Sequence, residues 1–200
     1  MTTISDHIKA YLQSMTKQVI TEWSQLEQVI TVKNVKKGDH FFQHFDHCDE
    51  VAIVSSGMFR IYLTDQEGEE KTYSFIPEKS FILDFFLSWK EASNTMVSVQ
   101  ALEDSNIYTI KYNNFLELMD TNHIWHEVYR EVLLRNYMFK TKREIEFVQF
   151  NAKERLNKFL NNKRIDISRI PKTYLASYLG IQPPSLSRLL RELKDQPEAN

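Results

Sequence analysis

The chain has 200 residues, 42% apolar and 12% aromatic, which suffices for a packed core; its longest stretch without Asp, Glu, Lys or Arg, 173–187, is too short to cross a bilayer. A single cysteine, Cys48, and four isolated glycines at 38, 57, 68 and 180 exclude an internal disulfide, a cysteine-held iron–sulfur cluster and the loops G-x-G-x-x-G and G-x-x-x-x-G-K. The net charge of -2 is unevenly spread: residues 1–134 carry 11 basic and 20 acidic side chains, residues 135–200 carry 14 basic and 7 acidic ones, a division that suits either contact with a polyanion or a solvated basic helix surface.

The N-terminal MTTISDHIKAYLQSM lacks a basic region followed by an apolar run and a small-residue cleavage site. Secretion is therefore not expected, and the expected compartment is the cytoplasm. Over residues 5–30, Ile8, Tyr11, Leu12, Met15, Val19, Trp23 and Leu26 recur near every 3.6 residues, which predicts one or two short amphipathic helices. From 31 to 110 the pattern changes to short β-branched and aromatic runs at 51–54, 58–63, 71–76 and 96–99. Gly38, Gly57, the 65–68 turn and Pro77 punctuate them, as in an all-β barrel or roll.

Helical periodicity returns at Asn113. A long helix is expected over 122–150, without Pro or Gly and with apolar residues on a wide stripe, so that it has both its own β domain and a second copy of itself to pack against. Val128, Val132, Leu134 and Met138 are the expected dimer-interface positions. A short helix follows at 152–160.

The strongest local signal is RIPKTYLASYLGIQPPSLSRLLREL at 169–193. Thr173 is positioned to cap a helix with the apolar face Leu175, Ala176 and Leu179, and Gly180 supplies a left-handed turn residue. Ile181 is expected to be buried at the corner. Pro183 and Pro184 open a second helix, where the first-turn N–H groups have no intrahelical partner. That helix turns Leu186, Leu189, Leu190 and Leu193 inward and Ser185, Ser187, Arg188 and Arg191 outward. Helix, glycine turn, buried residue and second helix form a helix-turn-helix, the alternative being an ordinary αα-hairpin.

With this segment in place, the chain resembles the superfamily of the cyclic-AMP receptor protein and FNR over nearly its whole length. The β region, with KKGDHFF at 36–42, VAIVSSGMFRIYL at 51–63 and DQEGEEKTYSFIP at 65–77, resembles the family's cyclic-nucleotide-binding roll. The resemblance implies an α+β fold: an N-terminal β-roll with its helices (1–121), a dimerisation helix (122–150) and a C-terminal helix-turn-helix, winged-helix-like domain (151–200). It implies a homodimeric transcription regulator whose partners are double-stranded DNA, a second copy of itself and RNA polymerase, with no membrane. The recognition helix is 183–193, and the expected DNA-contacting residues are Lys172, Thr173, Gln182, Ser185, Ser187, Arg188 and Arg191. Arg188 matches a family arginine that reads guanine, whereas two other base-reading positions are Pro183 and Pro184 here.

The ligand cassette departs from the family. In SFILDFFLSWKEASNTM (80–96), Leu83 stands where nucleotide-binding members have Gly, Asp84 where they have Glu, and Asn94 with Thr95 where they have Arg and Ser. A cyclic phosphate would lose its main charge-assisted contact, so control by cyclic AMP is not expected and the effector pocket around Asp84, Asn94 and Thr95 suits another ligand or none. His40, His44, His47 and Cys48, near Asp46 and Asp49, are metal-ligating types. On a strand and hairpin turn, however, alternate side chains point apart, and an exposed polar turn is the expectation. Cys48 has no obvious basic neighbour to activate it. No cofactor is expected. Asp84, Glu91 and the scattered histidines form no acid–base or nucleophile set, so the reading is a regulator and not an enzyme. A ligand-binding or protein-interaction module without DNA binding, and a metal-responsive sensor, are the alternatives.

Overall fold

Two short helices, α1 (Asp6–Thr16) and α2 (Trp23–Val29), open the chain in the computed structural model, which describes residues 3–16, 18–84 and 94–194. Ile8, Leu12 and Met15 of α1 and Leu26 of α2 are buried, as their spacing requires. Val19, counted on the same stripe from sequence, is 71% exposed, because α1 ends at Thr16 and the link beyond it has no helical face to keep.

Among the described residues eight strands follow: β1 (Ile30–Val35), β2 (His40–Phe42), β3 (Glu50–Ser56), β4 (Phe59–Thr64), β5 (Glu70–Ile76), β6 (Phe81–Ile82), β7 (Ser98–Ala101) and β8 (Ser105–Lys111). They pair antiparallel in two four-stranded sheets, ordered β1-β8-β3-β6 and β2-β7-β4-β5. The run 51–54 is buried throughout, since both faces of its sheet are covered. Ala52 and Val54 point between the sheets, into a core with Phe59, Ile76, Val99 and Ile107, while Val51 and Ile53 point outward against the helices. Met96, expected to open a strand, is 54% exposed and precedes β7.

Gly57 turns β3 into β4 with φ +98°. A Cβ there would lie 2.1 Å from Ser105 Oγ, so both conformation and space demand glycine. Its N–H donates to the Glu78 carboxylate at 3.0 Å.

Helix α3 (Tyr112–Thr121) leads to α4 (His123–Gln149). The Asn122 side chain accepts the Ile124 N–H at the start of α4, a local cap for a helix otherwise held by packing. Its first half lies across the outward face of the first sheet. Val128 and Val132, two of the four expected interface residues, are 2% and 4% exposed in that contact. They belong to the protomer's own core and are not available to a partner.

The remainder of the described chain is helical: α5 (Ala152–Leu160), a 3-10 turn (Ile167–Arg169), α6 (Lys172–Leu179) and α7 (Pro183–Lys194). α5 carries a reciprocal capping box between Asn151 and Glu154. These helices do not close a core alone. Leu156, Phe159, Ile170, Leu175, Leu179 and Leu186 pack together with Met58, Phe75 and Leu102 of the β-roll. Polar contacts rim this shared core. Arg169 donates to both oxygens of Glu78, at 2.7 and 3.1 Å, and also pairs with Glu103, while Arg164 donates to Ser80 Oγ at 3.1 Å.

Burial acts to raise the Glu78 carboxyl, but the hydrogen bonds from Arg169 and the Gly57 backbone outweigh it and hold the group below its ordinary value of 4.5. A carboxylate so lowered contributes stability that is complete above about pH 4.5 and lost as pH falls through its folded value. Amide exchange across 167–179 should therefore be constant from neutrality down to about pH 4.5, once corrected for intrinsic rates, and accelerate below it. Arg169→Gln should be looser at neutral pH and lose most of this acid dependence.

Candidate nucleic-acid interface and the effector region

α6 begins at Lys172 on an extended Pro171, so Thr173 lies in the first turn and is not the cap expected from sequence; Pro171 fixes the entry and no side chain is needed there. At the other end Gly180 takes φ +69°, ψ 35°. The Ile181 N–H then returns to the Ala176 carbonyl at 3.0 Å and the Gly180 N–H to Ser177 at 3.0 Å, which closes the helix and redirects the chain. Arg155 donates to the Leu179 carbonyl at 2.8 Å and Arg143 to that of Tyr178 at 3.1 Å, satisfying two further carbonyls at the helix end.

α7 starts with the two prolines, free of a backbone donor where none is needed. Leu186 is fully buried. Ile181, Leu189, Leu190 and Leu193 are partly buried against the same cluster, so the corner residue is less enclosed than expected. The opposite face gathers the expected polar residues: Lys172, Thr173, Gln182, Ser187, Arg188 and Arg191 are exposed, and Ser185 is half-buried. Arg188 keeps 66% of its side chain in solvent beside Glu192, at 3.8 Å, an exposed i,i+4 pair of little consequence for stability.

α6 is also bound to the second sheet of the roll, a contact that no sequence pattern announced. Arg60 on β4 is 1% exposed, with its guanidinium carbon 3.6 Å from the ring centre of Tyr174 on α6 and 4.3 Å from that of Tyr62. It pairs with Glu70 and donates to Gln100. Ser177 accepts the Thr72 N–H at 2.9 Å and donates to the Glu70 carbonyl at 3.3 Å, and Tyr178 packs on Phe75 and Phe159. The one sequence hint was Arg60 itself, a lone cation within the apolar run FRIYL.

In the effector region Asp84 and Thr95 are 4% and 2% exposed, and Asn94 is exposed. Thr95 is committed: its hydroxyl donates to the Gln43 carbonyl at 2.5 Å and its N–H to that of Asp46, pinning the hairpin after β2. The cassette's residues 85–93 lie outside the described residues. The cation nearest in kind to a phosphate partner, Arg60, faces α6 rather than the space between the sheets.

The histidines and cysteine are not brought together. His40 Nε2 bonds the Tyr62 hydroxyl at 2.9 Å, His44 stacks on Phe45, and Cys48 is buried in the roll core. Burial, followed by Arg60, lowers the His40 pKa. Among the described residues no group of three or more His, Cys, Asp or Glu is placed to hold a metal ion. Burial pushes the Cys48 thiol up to about 11, with Asp84, Glu50 and Asp49 acting in the same direction.

Residues 32–122 match the family described as the cyclic nucleotide-binding domain. Over most of its length the chain is similar in structure to FixK2 from Bradyrhizobium japonicum (TM-score 0.71, 15% identity, 83% of this chain and 85% of that one). It is similar to a CooA mutant from Carboxydothermus hydrogenoformans (TM-score 0.69, 18% identity, 92% and 84%). A structure described as a transcriptional regulator of the CRP/FNR family from Eubacterium rectale is equally close (TM-score 0.69, 17% identity, 92% and 88%). No curated protein matches the sequence. The match to the cyclic nucleotide-binding domain thus covers 32–122, the chain shares the fold of these solved structures, and among its described residues no helix is long and apolar enough to cross a membrane.

With its thiolate this strongly disfavoured, Cys48 should react with a thiol reagent at pH 8 far more slowly in the native protein than in urea. Rates that match in the two conditions would contradict the burial described here.

Proposed function

We propose that this chain, a cyclic nucleotide-binding-type domain joined to a helix-turn-helix on the CRP/FNR fold, is a homodimeric, non-enzymatic transcription regulator of the cytoplasm that binds double-stranded DNA. The observation that carries this reading is the exposed polar face of α6 and α7, where Lys172, Thr173, Gln182, Ser187, Arg188 and Arg191 stand free of the core that fixes the two helices. A helix of this kind enters the major groove, and an arginine one turn in reaches a guanine edge through two hydrogen bonds. Arg188 has that position and that freedom. With Pro183 and Pro184 in place of two other readers, the preferred operator differs from the usual family site. RNA polymerase is a further partner of such a regulator.

Dimerisation belongs to α4 from Leu134 onward. Leu134, Met138, Ile145 and Val148 are 47%, 64%, 47% and 87% exposed, and with Thr141 they fall at alternating intervals of four and three residues. This is the spacing of a two-helix seam, and left in water it is a substantial apolar stripe. Two copies place two recognition helices on successive turns of a palindrome, about 34 Å apart.

Cyclic AMP is not the controlling ligand in this reading. Asn94 and Thr95 bring no positive charge to a phosphate, and Thr95 already serves the hairpin.

Two measurements test the proposal. The wild type should shift random duplex DNA at low salt, with log affinity falling linearly in log salt, and Arg188→Ala should lose about 1–3 kcal/mol of preference for the selected operator over random sequence while keeping that salt dependence. Leu134→Glu with Met138→Glu should sediment as a folded monomer and bind the palindrome far more weakly. A wild type that ignores duplex DNA at low salt would sink the reading in favour of a ligand-binding module.

A further inference from the structure

A partly open apolar pocket of about 70 Å³ lies outside the roll, between the outward face of the first sheet, the N-terminal helices and α4. Ile8 and Leu12 of α1, Ile53 and Ile110 of the sheet, and Trp125 and Val132 of α4 are among its walls. The polar groups of the wall are turned to other tasks. The Thr109 hydroxyl is bonded to Thr31 at 2.7 Å, and the Tyr108 hydroxyl accepts the Ser5 N–H at 3.0 Å. The Trp125 indole N–H is buried without an acceptor among the described residues. One donor cannot hold a water, which needs two to four polar partners.

We propose that this cavity is a binding site for a compact apolar effector, a molecule of a few heavy atoms such as a small hydrocarbon or an apolar gas. The walls offer almost no polar surface, so water inside is poorly held and a guest that fits gains dispersion contacts in exchange for it. Size sets the class. A dry cavity of about 150 Å³ admits benzene, and this one is about half as large. The position suits an effector because the walls belong to both the sheet and α4, so a guest touches the roll and the helix that carries the proposed dimer seam at once. The effector role rests on the DNA-binding reading above, whereas the binding itself does not.

The full chain, labelled at its methyl groups, is titrated with xenon and followed by NMR. The methyls of Ile8, Ile53, Leu12 and Val132 should shift saturably, and those of the roll interior, such as Val54 and Ile107, should not. Val132→Phe, which fills the space, should lose the shifts. If that variant does not fold, Leu12→Ala supplies the second reading: it enlarges the cavity, and benzene should raise its melting temperature more than that of the wild type. Shifts that rise linearly without saturating, or equal benzene responses in the wild type and Leu12→Ala, would overturn the site. In parallel, saturating xenon should change the affinity for duplex DNA by about fivefold or more. Unchanged affinity beside saturable shifts would overturn the effector role. Absence of DNA binding altogether, with the shifts intact, would overturn the DNA-binding reading and leave the site standing.

Discussion

A guanidinium removed from water has to be answered by counter-charge, acceptors or aromatic faces, and the placement of α6 and α7 depends on how Arg60 is answered. β4 supplies Tyr62, β5 supplies Glu70 and β7 supplies Gln100, yet the sheet leaves one side of the group open. Tyr174 of α6 closes it at 3.6 Å. Nη1 still finds no hydrogen-bond partner, so the ring faces are its remaining environment. The roll cannot release α6 without rehydrating this cation, and α6 cannot move without exposing the Phe75, Phe159 and Tyr178 cluster beside it. The angle at which α7 is presented is thus a property of the β-roll as much as of the helix-turn-helix.

Much of this architecture is written in local patterns. The run 152–160 coincides with α5 because a capping box from Asn151 and an amphipathic face sit within ten residues, and Gly180 is legible because a left-handed turn between two apolar stripes leaves little choice of residue. The boundaries of the long helix follow from Asn122 and from the lack of any breaker before Phe150. What periodicity could not do was divide that helix between two partners. Apolar side chains run all round α4, and only the position of the sheet assigns Val128 and Val132 to the protomer while leaving Leu134 and Met138 outside. Thr173 was misread for a related reason: threonine is a good cap in general, but Pro171 had already fixed the backbone.

The rim between roll and helix-turn-helix was illegible for a plainer reason. Arg169 meets Glu78 and Glu103, and Ser177 meets Thr72 and Glu70, across separations of 66 to 107 residues. A single sequence shows an arginine or a serine but not its distant acceptor. The effector region is an intermediate case. The uncharged pair Asn94 and Thr95 is legible in the sequence, whereas the apolar pocket beside α4 exists only once three separate parts of the chain have packed around it.

The shared core has a bearing on how the protein is made. Its members run from Met58 and Phe75 through Leu102 to Leu186, so helices that leave the ribosome after the β-roll complete a surface that the roll must already have formed. Contacts of such sequence separation are slow to close, because the chain between them has to be ordered before they return any free energy. Until then Met58, Phe75 and Leu102 form an uncovered apolar patch on the nascent roll. A stalled or truncated chain would therefore be a sticky intermediate rather than a free-standing domain.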